Sequence, residues 1–562
     1  MNDLVKVFAL GGLDENGRDC YVVEINNDIF VLDCGTSLPD KNSPGVDYLA
    51  PNPDYLIKNK DRIKAYIITH GHDESMSALK YFYHKAPAPL YCSKETYGLL
   101  IGQAASLGMD LKVKPVIVEP TSTVTIAGRE VRFFQTCHNT MASSGVAINT
   151  SQGYIVYTSD FIIDFSNSNK GYYFDLKALS ELGEQNILLL MAESKAATKP
   201  GYCSPKHRAS KLIEKNFKDN EKRIFITCFW QNIFRIDEIM ELCRKYNKKV
   251  FFYNEYTRSV MNLSAKTMPS LFHGVEVVNK EDLLRVRNKD LVILILGLDS
   301  DLYEEIDLLA EKKNRDKRIA ITSDDIFITA GLPRPTLETV CTRCMDKVYR
   351  TGAQVCWLKK DQLTAMHARE DDLKFFLSVL KPKYYLPVRG NFVNMMANAK
   401  LALSMNIGLN HSNVFIMDNG MELIFDGTTR PRLIPNEATG IEISPILIDG
   451  TGMSRTGATV IEDRKLLGAD GVVVIAASVN VKEQKIVAGP DCQMRGFVFM
   501  KEAEPLLKSL SAIFIDEINT AFKSGKFVPE AIYELVSDRC KRFIKRENGR
   551  EPYILPIIDI VE

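Results

Sequence analysis

Residues 66–79 read YIITHGHDESMSAL: an apolar, strand-like run that delivers His70 and His72 to one tight turn. Two imidazoles separated by a single residue can face one cation once the turn frees them from the strict up-and-down alternation of a strand. Gly71 between them lets the backbone bend. Glu74 and Ser75 follow where a two-metal hydrolase would carry Asp and His. Glu74 keeps a carboxylate on a stem one methylene longer, whereas the Ser75 hydroxyl is a poor ligand for zinc. The turn therefore supplies half of a metal site.

Three further residues sit at comparable places. His138 ends the extended run VRFFQTCH, and Asp160 ends GYIVYTSD. Asp33 closes IFVLD ahead of Cys34-Gly35, placed to hydrogen-bond a ligating imidazole from behind. A lone His or Asp at a strand end is ordinarily a turn or surface residue. Only the H-G-H turn is specific by itself, and the others gain weight from the order in which they occur.

That order extends along the chain. It begins with LGGLDENGRDCYVVEINNDIFVLDCG and the THGH turn, and continues through HNTMASSGVAINTSQGYIVYTSDF, LKPKYYLPVRGNF and GMELIFDG. It ends with LIDGTGMSRTGATVIEDRKLLGADGVVVI and GPDCQMRGFVF. Over nearly its whole length the sequence resembles the ribonuclease J family, of the β-CASP branch of metallo-β-lactamase nucleases. The resemblance implies an α/β protein: a metallo-β-lactamase αββα sandwich with an inserted β-CASP domain and a C-terminal α/β module. It also implies a hydrolase acting in RNA processing and decay, as a 5′-3′ exonuclease or an endonuclease.

The departures from the family carry the most information. In its H-x-H-x-D-H pattern the first histidine pair holds one zinc and the Asp-His pair the second, so that hydroxide is available at neutral pH. The turn matching residues 386–390 usually carries His before Gly for that second ion; here it is Arg389. Glu74, Ser75 and Arg389 thus alter the second site together. A guanidinium repels a cation, and pairing with Asp160 or Glu74 would turn the metal site into a salt bridge. His70, His72, His138 and Asp160 keep the first site, so at most one zinc is expected, with manganese or magnesium as substitutes and a metal-free chain left open. Restoring Asp, His and His at the three altered positions is expected to raise metal content.

The insert reads similarly. Glu193 in LLLMAES matches the family's first acidic motif, but Lys195-Ala196 replaces the usual Thr-Asn. Asp160, Glu193 and His367 are the expected catalytic residues, His367 as proton donor to the leaving oxygen. In the family the His367 segment reads H-x-S-G-H and binds phosphate. Here Leu363, Thr364, Ala365 and Met366 precede His367, so that loop has become apolar. Gln231, Asn232, Arg235, Arg258 and Ser259 keep parts of the expected substrate contacts. The pattern resembles the second, catalytically degraded paralogue that the family has in low-GC Gram-positive bacteria. That resemblance implies weak or absent nuclease activity and partnership with RNA and with an active paralogue, or self-association. The other reading is a hydrolase working with a single zinc.

Composition sets outer limits. The 562 residues are 45% hydrophobic and 25% charged, which fits a multidomain globular protein and excludes fibrous or disordered classes. Lys plus Arg and Asp plus Glu both number 71, so RNA affinity must come from local patches and not from a global cationic field. No apolar run reaches the roughly 18 residues of a membrane span, and the N-terminal residues lack a secretory pattern, so a cytoplasmic location is expected. Twelve cysteines, several in strand-like runs, fit buried hydrophobes in a reducing compartment. The single CxxC at Cys341 and Cys344 reads as chance spacing. The expected domains are 1–205 and 369–426 for the metallo-β-lactamase fold, 206–368 for β-CASP, 427–442 as a linker, and 443–562 as an association module.

Overall fold

The structure is a computed structural model and describes residues 2–39, 43–113, 115–165, 171–428, 430–450, 452–454, 458–496 and 503–561. The two C-terminal motifs quoted above therefore lie partly outside the described residues. The chain divides into two compact units, residues 1–38 with 48–446 and residues 39–47 with 447–562.

The first unit contains two facing sheets. One has eight strands in the order Arg432–Ile434, Glu422–Phe425, Val5–Gly11, Cys20–Ile25, Asp28–Leu32, Ile63–Ile67, Leu90–Cys92, Pro115–Ile117. The other has six, in the order Tyr384–Val388, Ile187–Glu193, Gly153–Tyr157, Ser144–Thr150, Arg129–Gln135, Thr123–Ile126. Alternate residues of both, among them Val7, Val23, Phe30, Val146, Leu189 and Leu386, meet in one buried core between the sheets. Phe8, Val22 and Val31 point the other way and are also buried. Both faces of the eight-stranded sheet are thus covered, as a sandwich with helices outside requires. This is the metallo-β-lactamase αββα architecture.

Residues 223–357 build a separate parallel sheet in the order Lys249–Phe252, Leu291–Gly297, Arg223–Phe229, Asp325–Thr329, Gln354–Trp357. The strand LVILILG is buried at every position, as a central parallel strand must be. Its core is filled by helices Asp299–Ala310 and Glu338–Arg350, through Leu302, Ile306, Cys344 and Val348. Cys341 and Cys344 lie buried on that helix as hydrophobes.

Two local expectations change. Residues 75–84 read from sequence alone as one helix; the structure has two short turns, Asp73–Met76 and Leu79–Phe82, because residues 73–78 bond back to the loop after Asp33: Cys34 N to Ser75 O and Ala78 N to Cys34 O. Residues 427–442, read as a linker, contain the edge strand Arg432–Ile434, paired antiparallel to Glu422–Phe425, and the short helix Asn436–Thr439. Pro431, Pro435 and few apolar residues suit an edge strand as well as a linker, since an edge needs only half its ladder bonds.

In the second unit, Val472–Asn480 lies between antiparallel Lys485–Arg495 and parallel Tyr553–Val561. Helices Ala503–Lys523 and Pro529–Asn548 cover one face, with Leu510, Phe514, Ile518, Val536 and Ile544 against Val473, Ile475 and Val479. Among the described residues, no helix is long and apolar enough to cross a membrane.

Candidate metal and catalytic centre

Six strands end on one rim of the sandwich, and each hands over a polar residue: Asp33 after Asp28–Leu32, His70 after Ile63–Ile67, His138 after Arg129–Gln135, Asp160 after Gly153–Tyr157, Glu193 at the end of Ile187–Glu193, and Arg389 after Tyr384–Val388. Asp33, Ser159 and Arg389 have φ of 57°, 56° and 57°, in the left-handed region that non-glycine residues seldom adopt. Strain of this kind persists where surrounding contacts enforce it, and it turns these side chains inward from the strand tips. Gly71 has no positive φ, so its turn does not demand glycine; a side chain there would meet Leu99 Cδ1, the far end of a leucine, at 2.4 Å.

His70, His72, His138 and Asp160 are all buried, and one ligand atom of each lies within 4.8 Å of the others. His72 Nδ1 is 3.1 Å from His70 Nε2 and 3.3 Å from His138 Nε2. Asp160 Oδ2 is 3.7 Å and 3.6 Å from those same Nε2 atoms. Burial holds the His70 and His138 imidazoles well below the ordinary range and that of His72 down to about 4, so all three are neutral near pH 7. Three neutral imidazoles and a carboxylate are a donor set that fits one tetrahedral cation. Behind it, His70 Nδ1 faces Thr69 Oγ1 at 2.9 Å and Ser159 Oγ at 3.1 Å. Asp33 does not bond the imidazole directly. Its Oδ1 accepts from the Thr69 amide and hydroxyl, at 2.9 and 2.8 Å, so Thr69 stands between them.

Where the sequence resemblance leads one to expect a second ion, the structure has salt bridges. Arg389, fully buried, sets Nε 2.8 Å from Asp160 Oδ1 and Nη2 2.9 Å from Asp160 Oδ2. The same guanidinium donates through Nη1 to Asp33 Oδ2 at 3.0 Å and to Tyr157 Oη at 2.7 Å, while Nη2 lies 2.9 Å from Asp19 Oδ2. Glu74 is a weaker partner at 3.6 Å, and Ser75 Oγ accepts from Nη2 at 3.3 Å. Lys195 adds a second cation, with Nζ on Glu74 Oε1 and 3.2 Å from Asp160 Oδ2. Four carboxyl groups thus face two cations. Burial raises all four; at Asp160 the charges of Arg389 and Lys195 override it and hold the carboxyl well below its usual range, and at Glu74 Lys195 does the same. At Asp19 burial outweighs the pull of Arg389 and pushes the carboxyl up to about 8, and at Asp33 burial likewise raises it. Sequence reading did not single out Asp19 or recognise Lys195 as a partner in this cluster. The signal available was a lysine two residues after a strand-end glutamate, where the family has a neutral side chain.

Glu193 belongs to another cluster. Its Oε1 accepts from the Phe161 and Ala368 amides at 2.8 and 3.0 Å, and its Oε2 lies 3.1 Å from His367 Nδ1. Glu193 therefore orients His367. Burial lowers that imidazole's proton affinity, but Glu193 and Asp160 together raise it above the ordinary value. His367 Nδ1 is also 3.8 Å from Asp160 Oδ1. The ring, 21% exposed, thus holds its proton more firmly than an ordinary imidazole, at the edge of the histidine cluster.

The expected substrate contacts divide. Arg235 is 2% exposed and committed to Glu238 and the His207 carbonyl, so it faces the interior and cannot reach a phosphate. Asn232 caps its own helix, accepting from the Arg235 amide at 2.9 Å. Leu363 and Met366 are each 2% exposed and fill core. Thr364 is bound through its amide to the Lys206 carbonyl, and Ala365 is exposed. Gln231, Arg258 and Ser259 are half-buried, with Arg258 over the Phe251 ring.

Three family models match the chain: the metallo-beta-lactamase superfamily over residues 13–199, the ribonuclease J beta-CASP domain over 221–367, and the ribonuclease J C-terminal domain over 459–560. The chain is 29% identical to "Ribonuclease J 2" of Staphylococcus saprophyticus, covering 99% of this chain and 98% of that protein. It is 28% identical to "Ribonuclease J 2" of Staphylococcus aureus at the same coverage. A crystal structure of a protein of unknown function from Enterococcus faecalis V583 matches with a TM-score of 0.51 at 13% identity, over 75% of this chain and all of that one, a likeness of fold alone.

Proposed function

We propose, for a chain that belongs to the ribonuclease J family and so to the RNA-processing metallo-β-lactamase nucleases, that it acts in cytoplasmic RNA processing and decay as a weakly active or inactive subunit associated with an active paralogue. The observation that carries this reading is Arg389, buried against Asp160 at 2.8 Å where the family places a metal-bound histidine. A two-ion displacement draws much of its transition-state stabilisation from paired cations on the attacking and leaving oxygens. Fixed side-chain charges already neutralised by carboxylates cannot replace the second of them. The apolar loop with Leu363 and Met366 buried, and Arg235 turned inward, remove phosphate contacts as well.

A second reading rests on the histidine cluster. His70, His72, His138 and Asp160 would hold one zinc, or manganese in its stead, and a bound ion would supply Lewis acidity and an acidified water. In that reading Glu193 keeps the proton on His367 directed toward the cleft. Hydrolysis of a 5′-monophosphorylated RNA by wild type and His72→Ala separates the two. Turnover near background and equal in both supports the non-catalytic subunit; turnover abolished by His72→Ala supports the single-ion enzyme.

A further inference from the structure

We infer that Lys195 is a tethered cation holding the second ion's place with Arg389, and that its ammonium limits the chain to one divalent ion even when the altered ligand positions are restored. This deepens the reading of a filled second position and rests on it. The backbone around Lys195 is fixed on both sides. The Ser194 amide donates to the Arg389 carbonyl at 3.1 Å, and Asn394 Nδ2 donates to the Lys195 carbonyl at 3.3 Å. Asn398 Nδ2 donates to the Glu193 carbonyl at 2.9 Å and to Ser194 Oγ at 3.1 Å. From that anchored start the side chain reaches Glu74 Oε1 and Asp160 Oδ2.

Those two oxygens belong to the carboxylates a second ion would have to recruit, at ligand bonds of about 2.0–2.2 Å. The other Asp160 oxygen is held by Arg389 Nε. The two cations differ in kind. Arg389 is wholly enclosed and donates hydrogen bonds from both Nη atoms, whereas Lys195 is 10% exposed on a flexible stem. Replacing Arg389 opens one side of Asp160 and leaves the ammonium on the other. Shortening Glu74 to Asp withdraws one carboxylate from Nζ and does not move Nζ from Asp160. Restoring Glu74→Asp, Ser75→His and Arg389→His is therefore insufficient for a second ion, and Lys195 must lose its charge as well.

Two comparisons on chelator-stripped full-length protein test this, read by calorimetric titration with zinc and with manganese and not by activity. First, the triple variant takes one ion per chain, and the triple variant with Lys195→Thr takes two. Two ions in the triple variant, or one in both, overturns the inference. Secondly, Lys195→Met in the otherwise unchanged protein keeps most of the stem's volume and carries the test if the multiple variants do not fold. A unit positive charge a few ångströms from a divalent ion disfavours it even at the effective dielectric of a protein interior. Lys195→Met should bind its single ion at least about tenfold more tightly than wild type. Equal affinity, or no binding by either protein, overturns the inference. Loss of RNA hydrolysis in these variants bears only on the proposed function, since ion count and affinity are read without it.

Discussion

Replacing Arg389 by Met would remove the guanidinium and keep much of its volume. Asp33 and Asp160 would then stay buried without their main counter-charge, and the Tyr157 hydroxyl would lose a donor at 2.7 Å. Breaking a buried ion pair from one side costs about 3–5 kcal/mol, because the remaining charge is stranded. Lys195 still serves Asp160, and Asp19 already keeps its proton near neutrality, so the lower half of that range is expected. At about 2.1 cal/mol/K of unfolding entropy per residue, a unit as long as residues 1–38 with 48–446 shifts by roughly 1 °C per kcal/mol, so its melting should fall by about 3–4 °C. The assay is thermal and urea unfolding in chelator at pH 8 and at pH 5.5. Without Arg389 the carboxyl groups take up protons in the folded state above their unfolded values. The deficit should then be full at pH 8 and shrink at pH 5.5. Arg389→Lys keeps the charge without the fork and should recover only part of the loss. A fall below about 2 °C, or a deficit that grows as pH falls, would refute the argument that Arg389 neutralises a buried acidic cluster.

Asp372 accepts from the backbone amides of Arg369, Ile163 and Cys203 at 3.0, 2.8 and 3.0 Å, tying the His367 segment to two other loops. Asp372→Ala strands these three donors and should cost about 3–9 kcal/mol in urea unfolding, at about 1–3 kcal/mol for each unsatisfied group. Glu305 bonds Asn254 at 2.6 Å, and burial pushes its carboxyl from 4.5 up to about 7. The folded state therefore holds this proton more tightly than the unfolded, so stability should decline as pH rises from about 4.5 to 7, and Glu305→Gln should flatten that decline in a pH series of melts. Glu193→Gln removes the carboxylate from His367 Nδ1, and the imidazole's titration followed by NMR should move to lower pH.

Much of the fold is legible in the chain because its signals are local. Buried runs such as LVILILG and the strand-turn boundaries at His70, His138 and Asp160 follow from period, length and turn residues. The edge strand Arg432–Ile434 was obscured because an edge tolerates polar residues and proline as a linker does. The grouping of His70, His72, His138 and Asp160 could be inferred from their order along the chain. The environment of Lys195 and Asp19 could not: the ion pairs that define it join residues about 120 and 370 positions apart, and neither residue type signals burial. Arg235 shows the converse limit, since a basic residue beside polar neighbours looked like a phosphate contact until its fork was seen spent on Glu238.

The most direct test is metal stoichiometry of the purified wild-type chain by elemental analysis after dialysis against zinc and against manganese, with His72→Ala in parallel. The account predicts no more than one ion per chain, reduced in His72→Ala because His72 Nδ1 faces the other ligand atoms. Two ions per wild-type chain would contradict it, since Arg389 and Lys195 pair with the carboxylates that the second is expected to need.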